Sequence, residues 1–210
     1  MTRCVTAAAV LGAALPIILV AGVADAVASP APRPTETITY SGSAGPGCVK
    51  NGVTPSELGD GSLRLRYPAM TVKAPASTGV NCTVRFTVDT PAGWTFAVPR
   101  ATYTGAAKLT GGARATLSTK FVFSGQPGQV ASAGFESLHG GYVVPTVFRD
   151  DQLTFMPCGA KPFLSMTAHI GIDAAVPGVP AGVSVESVLL TPSDFVWRQC
   201  AASASGSAQR

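Results

Sequence analysis

The sequence predicts an all-β fold, a single disulfide-stapled β-sandwich, and three observations lead to that class. Apolar and polar residues alternate in several segments with the two-residue period of a strand. Gly- and Pro-rich turns, drawn from 23 Gly and 17 Pro, separate those segments. Four cysteines follow an N-terminal export signal. A β-barrel is the alternative architecture, and helices are expected to be no longer than one turn.

The N-terminus has the layout of a secretory signal peptide, predicted over residues 1–28. Arg3 supplies a positive charge, and the stretch up to Val23 is almost entirely apolar. Small residues then follow at an Ala-x-Ala spacing, which predicts cleavage after Ala26 or Ala28. A membrane anchor is the alternative, because the apolar run approaches the length of a span. Its Ala and Gly content and the cleavage pattern favour the signal, and hence an extracellular protein with no membrane span after cleavage.

Composition divides the rest of the chain into a leader, a domain and a tail. Residues 29–44 begin with Ser-Pro-Ala-Pro-Arg-Pro and are predicted to form a flexible leader. Residues 45–200 form the predicted β-sandwich domain, and the small, polar residues 201–210 a disordered tail. In the whole sequence 46% of residues are hydrophobic and 12% are charged, which suits a well-buried core.

The alternation locates the main strands. In residues 62–67 leucines alternate with Arg64 and Arg66, so that one face is apolar and the other charged. The other predicted strands are 81–89, 114–123, 163–173, 183–190 and 194–198. Two similar pieces, Thr54–Glu57 and Thr191–Asp194, have the Thr-Pro-Ser-acid order of a helix start and are predicted to form single turns.

The cysteines that remain after the signal are Cys48, Cys82, Cys158 and Cys200. An even number in an exported chain indicates disulfides, for which three pairings are possible. Their order along the chain favours Cys48–Cys82, which closes the N-terminal strands, and Cys158–Cys200, which holds the last strand. The chain has no Cys-x-x-Cys pair, so zinc and thioredoxin-like redox sites have little support.

No enzyme signature occurs in the sequence, whether a Gly-x-Ser-x-Gly elbow, a phosphate loop or a His-Glu-x-x-His pair. The two histidines are too few for a His-rich metal site; His139 is interpreted as part of a turn and His169 as a residue on the outer face of a strand. The acids Asp150 and Asp151 are interpreted as a solvated turn. No catalytic residue, metal ligand or cofactor is therefore assigned.

The net charge and the aromatic residues limit the classes of partner that this protein can bind. The net charge is +4, and the basic residues are scattered without a basic–aromatic stripe, which argues against nucleic-acid binding. Attraction to acidic cell-wall polymers is compatible with this charge. Trp94 and Trp197 could stack on sugars, but each lies near a predicted disulfide and shares a strand face with apolar residues. Both are interpreted as core residues, and truncation of either to Ala is expected to cost about 3–5 kcal/mol.

Two function classes stay open. The first is a non-catalytic secreted module that binds a surface, a polymer or a protein, and it rests on the missing catalytic constellation and the stapled scaffold. The alternative is a secreted hydrolase that acts on polysaccharide through the acids Asp150, Asp151 and Glu136. That alternative requires two carboxyl groups facing one cleft about 5–10 Å apart.

An ordered set of short motifs resembles one family. The set includes Gly47-Cys48, Asn81-Cys82, Pro91-Ala92-Gly93-Trp94-Thr95-Phe96-Ala97, Pro157-Cys158-Gly159 and Trp197-Arg198-Gln199-Cys200. In these motifs the chain is similar to the secreted domain-of-unknown-function family 4360 of actinobacteria and fungi, over about residues 45–200. The resemblance implies a secreted β-rich domain with two disulfides, and it implies no reaction. The segment Val49–Gly59 is longer here than the family pattern.

Export gives the first testable prediction. Mass spectrometry of the secreted protein is expected to find a mature N-terminus at Val27 or Ser29, because signal peptidase cuts after the small residues of the Ala-x-Ala spacing. Recovery of a mature protein that still carries Met1 to Val23 would contradict it.

Overall fold

The computed structural model describes residues 37–49, 52–160, 163–173, 176 and 178–201, so the predicted signal peptide and nearly all of the predicted tail lie outside it. Its strands are β1 (Thr37–Ala44), β2 (Thr54–Glu57), β3 (Leu63–Arg66), β4 (Thr71–Ala74), β5 (Gly79–Asp89), β6 (Trp94–Ala97), β7 (Arg100–Lys108), β8 (Arg114–Phe123), β9 (Gln129–Glu136), β10 (His139–Val147), β11 (Leu164–Asp173), β12 (Ala181–Leu190) and β13 (Val196–Gln199). In these described ranges the remaining regular elements are two one-turn 3-10 helices. None of them contains a helix of the length and apolarity needed to cross a membrane.

The strands form two open antiparallel sheets and a small ribbon, which confirms the predicted sandwich rather than the closed barrel. The five-stranded sheet has the order β1-β5-β11-β8-β9, and the ribbon pairs β6 with β13. The six-stranded sheet has the order β10-β7-β12-β3-β2, and β4 also pairs with β12. Strand β12 is central to that sheet, because β7 pairs along one of its edges while β3 and β4 share the other.

The inward faces of the two sheets bury a single core. In β8 every second residue from Ala115 to Phe123 is buried, as the sequence period predicts. The largest fully buried side chains are Tyr103, Phe86, Phe96, Phe121, Phe123, Leu63, Leu65, Met70, Leu117, Leu164, Met166 and Ile170. Burying a large apolar side chain of this kind stabilises a fold by about 1.5–3 kcal/mol.

A chain of hydroxyl groups crosses this core. Thr146 Oγ1 donates to Thr119 Oγ1 at 2.9 Å, and Thr119 Oγ1 donates to the Tyr103 hydroxyl at 2.7 Å. The Tyr103 hydroxyl donates in turn to Met166 Sδ at 3.8 Å. Burial raises the pKa of the Tyr103 phenol well above its usual value, so the group stays neutral. Each hydroxyl of this chain of three therefore has a partner and avoids the cost of unpaired burial, whereas the buried hydroxyls of Ser62 and Tyr67 have none.

Both predicted disulfides are present. The Cα–Cα distance is 5.2 Å for Cys48–Cys82 and 5.9 Å for Cys158–Cys200. Cys48 and Cys82 are 3% and 0% exposed, and their bridge ties the segment after β1 to β5. Cys158 is exposed and Cys200 half-buried, and their bridge ties the end of β13 to the segment before β11.

The predicted flexible leader is wrong for residues 37–44, which form β1. This strand pairs with β5 from Thr37–Asp89 to Ala44–Thr83 and buries Ile38. The segment is short of large apolar residues, so its sequence looks like a linker until the edge of β5 supplies partners for its backbone groups. Residues 29–36 of the leader lie outside the described ranges.

The predicted turn at Thr54–Glu57 is also wrong, because this segment is strand β2, paired with β3. Strand β2 is at the sheet edge, where Pro55 is tolerated although it has no N–H to donate. The similar piece at the C-terminus does turn: Asp194 Oδ2 accepts hydrogen bonds from the Thr191 N–H and hydroxyl at 2.8 and 2.9 Å. The last strand therefore begins at Val196 and not at Asp194.

The different exposure of the two disulfides predicts different reactivity. Under mild reduction of the native protein, Cys158–Cys200 is expected to open first, because thiol–disulfide exchange needs access to a sulfur atom and Cys48–Cys82 is buried. Alkylation with peptide mapping over time measures the order. Labelling of Cys48 or Cys82 before Cys158 in the folded protein would show that the N-terminal bridge opens more readily than its burial implies.

Candidate functional site

The outer face of the six-stranded sheet carries Arg100, which is paired with Asp194, and four further exposed cationic side chains. They are Arg64 and Arg66 on β3, Lys73 on β4 and Lys108 on β7. Each alternates with buried neighbours, so the pleat of the strand directs it outward. We call the surface formed by these four side chains, together with the hydroxyl residues beside it, the cationic face; those hydroxyl residues are Thr71, Thr102, Thr104, Ser184 and Ser187.

Cross-strand register arranges these side chains in rows. One row runs from Thr104 through Ser187 to Arg66, and the two hydroxyl oxygens of Thr104 and Ser187 lie 2.6 Å apart. Another row runs from Lys108 through Gly182 to Lys73. Register partners lie on the same side of a sheet, so each row presents its side chains to solvent together.

Three shallow depressions lie on the cationic face. Arg66 and Glu186 line two of them, with volumes of about 310 and 540 Å³. Lys73, Lys108 and Gly182 help to line the third, with a volume of about 530 Å³. Each cation of this face therefore lines a depression that is large enough for a small ligand group.

None of these four cations forms an ion pair in the described ranges, although the exposed Glu186 lines the same depressions as Arg66. The ion pairs found there are Arg100–Asp194 at 2.7 Å, Arg114–Glu136 at 2.8 Å and Arg149–Asp151 at 3.2 Å. None of them involves a cation of the cationic face. On β12 the exposed acid is Glu186, where a bulge between Val185 and Ser187 adds one residue to the strand.

The three acids of the hydrolase hypothesis do not meet. Glu136 ends β9, just before β10, whereas Asp150 and Asp151 follow the far end of β10 in a 3-10 turn. The nine residues of β10, at about 3.3 Å each, hold the two groups about 25 Å apart, beyond the 5–10 Å that the hypothesis requires. Asp150 and Asp151 are exposed, which confirms the predicted solvated turn.

The histidines lie apart from one another. His169 is exposed on the outer face of the five-stranded sheet, as predicted. His139 is the first residue of β10 and pairs with Lys108, so the predicted turn there is wrong. Among the residues that the structure describes, no group of three or more His, Cys, Asp or Glu could hold a metal ion.

The tryptophans lie on the ribbon of β6 and β13, and both are half-buried. Trp197 packs on the buried Phe96 with ring centroids 5.3 Å apart, which confirms its interpretation as part of the core. Trp94 instead lines a cleft of about 310 Å³ with Met156 and Gly159 among its neighbours. The core interpretation of Trp94 needs this correction, because the first residue of β6 lies at the rim of the cleft.

Only part of the cationic face could be predicted from the sequence. The Leu-Arg-Leu-Arg alternation of β3 indicates that Arg64 and Arg66 share an outward face. Lys73 and Lys108 are single cations that are distant in sequence. Only the pairing of β4 and β7 with opposite edges of β12 brings them to the same row.

A family profile described as "Domain of unknown function (DUF4360)" matches residues 35–200. No curated protein matches the chain. Among solved structures, TmCBM61 in complex with beta-1,4-galactotriose is similar at 8% identity and a TM-score of 0.30, over 74% of this chain and 88% of that one. The enzymatically active domain of bacteriophage CBA120 tailspike protein 4 is similar at 12% identity and a TM-score of 0.26, over 74% of this chain and 19% of that one. Likenesses at this level do not bear on function.

The two tryptophans are expected to differ in their contribution to stability. Trp197→Ala should lower the free energy of unfolding by about 3 kcal/mol, because it removes packing on Phe96. Trp94→Ala should lower it by about 1 kcal/mol or less, since the indole lines an open cleft. Urea denaturation of the two variants measures the difference. Equal losses near the larger value would mean that Trp94 is a core residue after all.

Proposed function

We propose that this chain, which belongs to the DUF4360 family of domains of unknown function, is a non-catalytic secreted module that binds an acidic polymer through the cationic face. One observation carries the proposal: of the five exposed cations on one sheet face, four form no ion pair within the described residues. Unpaired cations on one surface attract an anionic partner and raise the rate of encounter with it.

The side chains of the cationic face suit a polymer that carries both carboxylates and hydroxyls. A guanidinium such as that of Arg64 or Arg66 can bind a carboxylate through two parallel hydrogen bonds. The serine and threonine hydroxyls beside them can donate to and accept from sugar hydroxyls. Binding of single-stranded nucleic acid usually relies on aromatic side chains that stack on bases. The residues that define this face include no Phe, Trp or Tyr, the adjacent Tyr67 is only 3% exposed, and the one exposed aromatic ring in the row of Lys108 is the imidazole of His139.

Export is part of the same proposal. The signal-like N-terminus and the disulfides Cys48–Cys82 and Cys158–Cys200 are typical of a protein that works outside the cell. The motif resemblance to secreted proteins of actinobacteria and fungi agrees with that setting. The partner would then be a cell-wall or environmental polysaccharide rather than an intracellular molecule.

The binding test compares two charge-matched double variants on polygalacturonate, with neutral dextran as a blank. The Arg64→Gln/Arg66→Gln protein is expected to bind polygalacturonate at least tenfold more weakly than the unaltered protein, because two charge-assisted contacts are lost. Raising the salt concentration should weaken the unaltered protein more steeply than this variant. Isothermal titration calorimetry at two salt concentrations measures both effects.

The control is Arg85→Gln/Lys120→Gln on the outer face of the five-stranded sheet, which changes the net charge equally. It is expected to retain binding to within about twofold, since a change of that size is under 0.5 kcal/mol. Equal losses in both double variants would mean that only the overall charge matters. The absence of detectable binding of the unaltered protein to polygalacturonate would contradict the proposal.

A further inference from the structure

We infer that the acidic polymer lies along β12, with consecutive carboxylates held from Arg64 at one end to Lys73 and Lys108 at the other, so that the ligand is a polyuronate chain of several sugar units. The inference rests on the proposed function and adds the orientation, the minimum length and the polymer class. Three features of the cationic face support the inference. Its cations lie in a line, and that line is long enough for several sugar units. An open depression between Lys73 and Lys108, which we call the seat, lies at one end.

The line of charge follows one edge of β12. Strand β3 pairs with residues 187–190 of β12, and β4 pairs with residues 181–184, so the two short strands lie end to end. Backbone hydrogen bonds continue between them: the Tyr67 N–H donates to the Glu186 carbonyl at 2.8 Å. The Val185 N–H donates to the Met70 carbonyl at 2.9 Å. The outward cations of β3 and β4 therefore follow a single track parallel to β12, and the exposed Glu186 lies beside it between Arg66 and Lys73.

The length of this track sets the length of the ligand. Arg64 pairs with Leu189, and Lys73 pairs with Gly182, which is seven residues away along β12. At about 3.3 Å per residue the two cations are about 20 Å apart along the strand. Across the strands the cations are closer together. Lys73 and Lys108 lie on either side of β12, two strand spacings or about 10 Å apart. A single sugar acid cannot reach both ends of the track.

The seat lies at the end of the track that is formed by Lys73 and Lys108. Gly182 lies between Lys73 and Lys108 in the same row, so no side chain rises between the two ammonium groups. These three residues help to line the depression of about 530 Å³. A Cβ at Gly182 would meet only the Val72 carbonyl oxygen, at 3.7 Å, which is an ordinary contact. A Cβ can therefore be added at Gly182 without a clash, and a threonine there would project into the depression between the two ammonium groups while leaving both charges in place.

The neighbours of the track favour a polyuronate over other polyanions. Hydroxyl groups accompany the cations along its length, with Thr102 in the row of Arg64, Thr104 and Ser187 in the row of Arg66, and Thr71 beside Lys73. A chain of sugar acids offers a carboxylate and free hydroxyls on every unit, so both kinds of group find partners. A polynucleotide would bring a base on every unit, for which the row of Lys108 offers a single ring, the imidazole of His139.

The test is a calorimetric length series of oligogalacturonates, from the dimer to the polymer, at constant ionic strength. For the unaltered protein the affinity is expected to rise with length until the oligomer spans about 20 Å and then to level off. Lys73→Gln and Gly182→Thr should each weaken the long oligomers at least fivefold and leave the dimer, held at Arg64 and Arg66, within twofold. Lys120→Gln on the other sheet is the matched control and should change neither. Thermal melts confirm that each variant is folded.

Several outcomes would overturn the inference. A dimer that binds as tightly as the polymer would exclude a ligand that spans the track. Equal weakening of short and long oligomers by Lys73→Gln or Gly182→Thr would exclude a separate seat at Gly182. Tighter binding of polyadenylate than of polygalacturonate at the same salt would exclude a polyuronate as the preferred class. If Arg64→Gln/Arg66→Gln still weakens binding while the length series is flat, the inference fails and the proposed function stands.

Discussion

The alternation of apolar and polar residues along β5, β8, β11 and β12 is the constraint on which the molecule depends. Each strand buries every second side chain between the two sheets, and that burial must offset the conformational entropy of the ordered chain. A shift of one residue in register would exchange the two faces of a strand. The forces that build the core therefore also decide which side chains reach the solvent, and the cationic face follows from the burial of Leu63, Leu65, Val72 and their neighbours.

Hydroxyl groups pair across strands on both outer faces of the sandwich, Thr104 with Ser187 at 2.6 Å on the six-stranded sheet and Thr83 with Thr167 at 2.8 Å on the five-stranded sheet. The Arg114–Glu136 ion pair closes one edge of that face. On the six-stranded sheet Arg64, Arg66, Lys73 and Lys108 form no ion pair in the described ranges, and Glu186 is an exposed acid beside Arg66. Because those cations project from paired strands rather than loops, their spacing is fixed before any ligand arrives, which lowers the entropic cost of binding.

The strands with large inward residues could be predicted from sequence, and those with small ones could not. Strand β7 buries one large side chain, Tyr103, between the small residues Ala101, Gly105 and Ala107, so its apolar face is only weakly marked in the sequence. Gly105 is needed because a Cβ there would overlap the Ser184 carbonyl oxygen and the ring of Tyr142. The disulfide pairing followed from chain order. The seat between Lys73 and Lys108 depends on long-range pairing through β12, which no local pattern encodes.

The bulge in β12 determines where the gene for this protein can gain or lose a codon during evolution. It adds one residue between the half of the strand that pairs with β4 and the half that pairs with β3. Loss of the Glu186 codon would remove the bulge and leave the alternation of buried and outward residues unbroken, whereas loss of a codon from either half, such as that of Ser184, would turn residues such as Val183 from the core to the solvent. Substitutions can accumulate at the outward positions of this strand, whereas insertions and deletions are confined to the bulge and to the connections on either side of the strand.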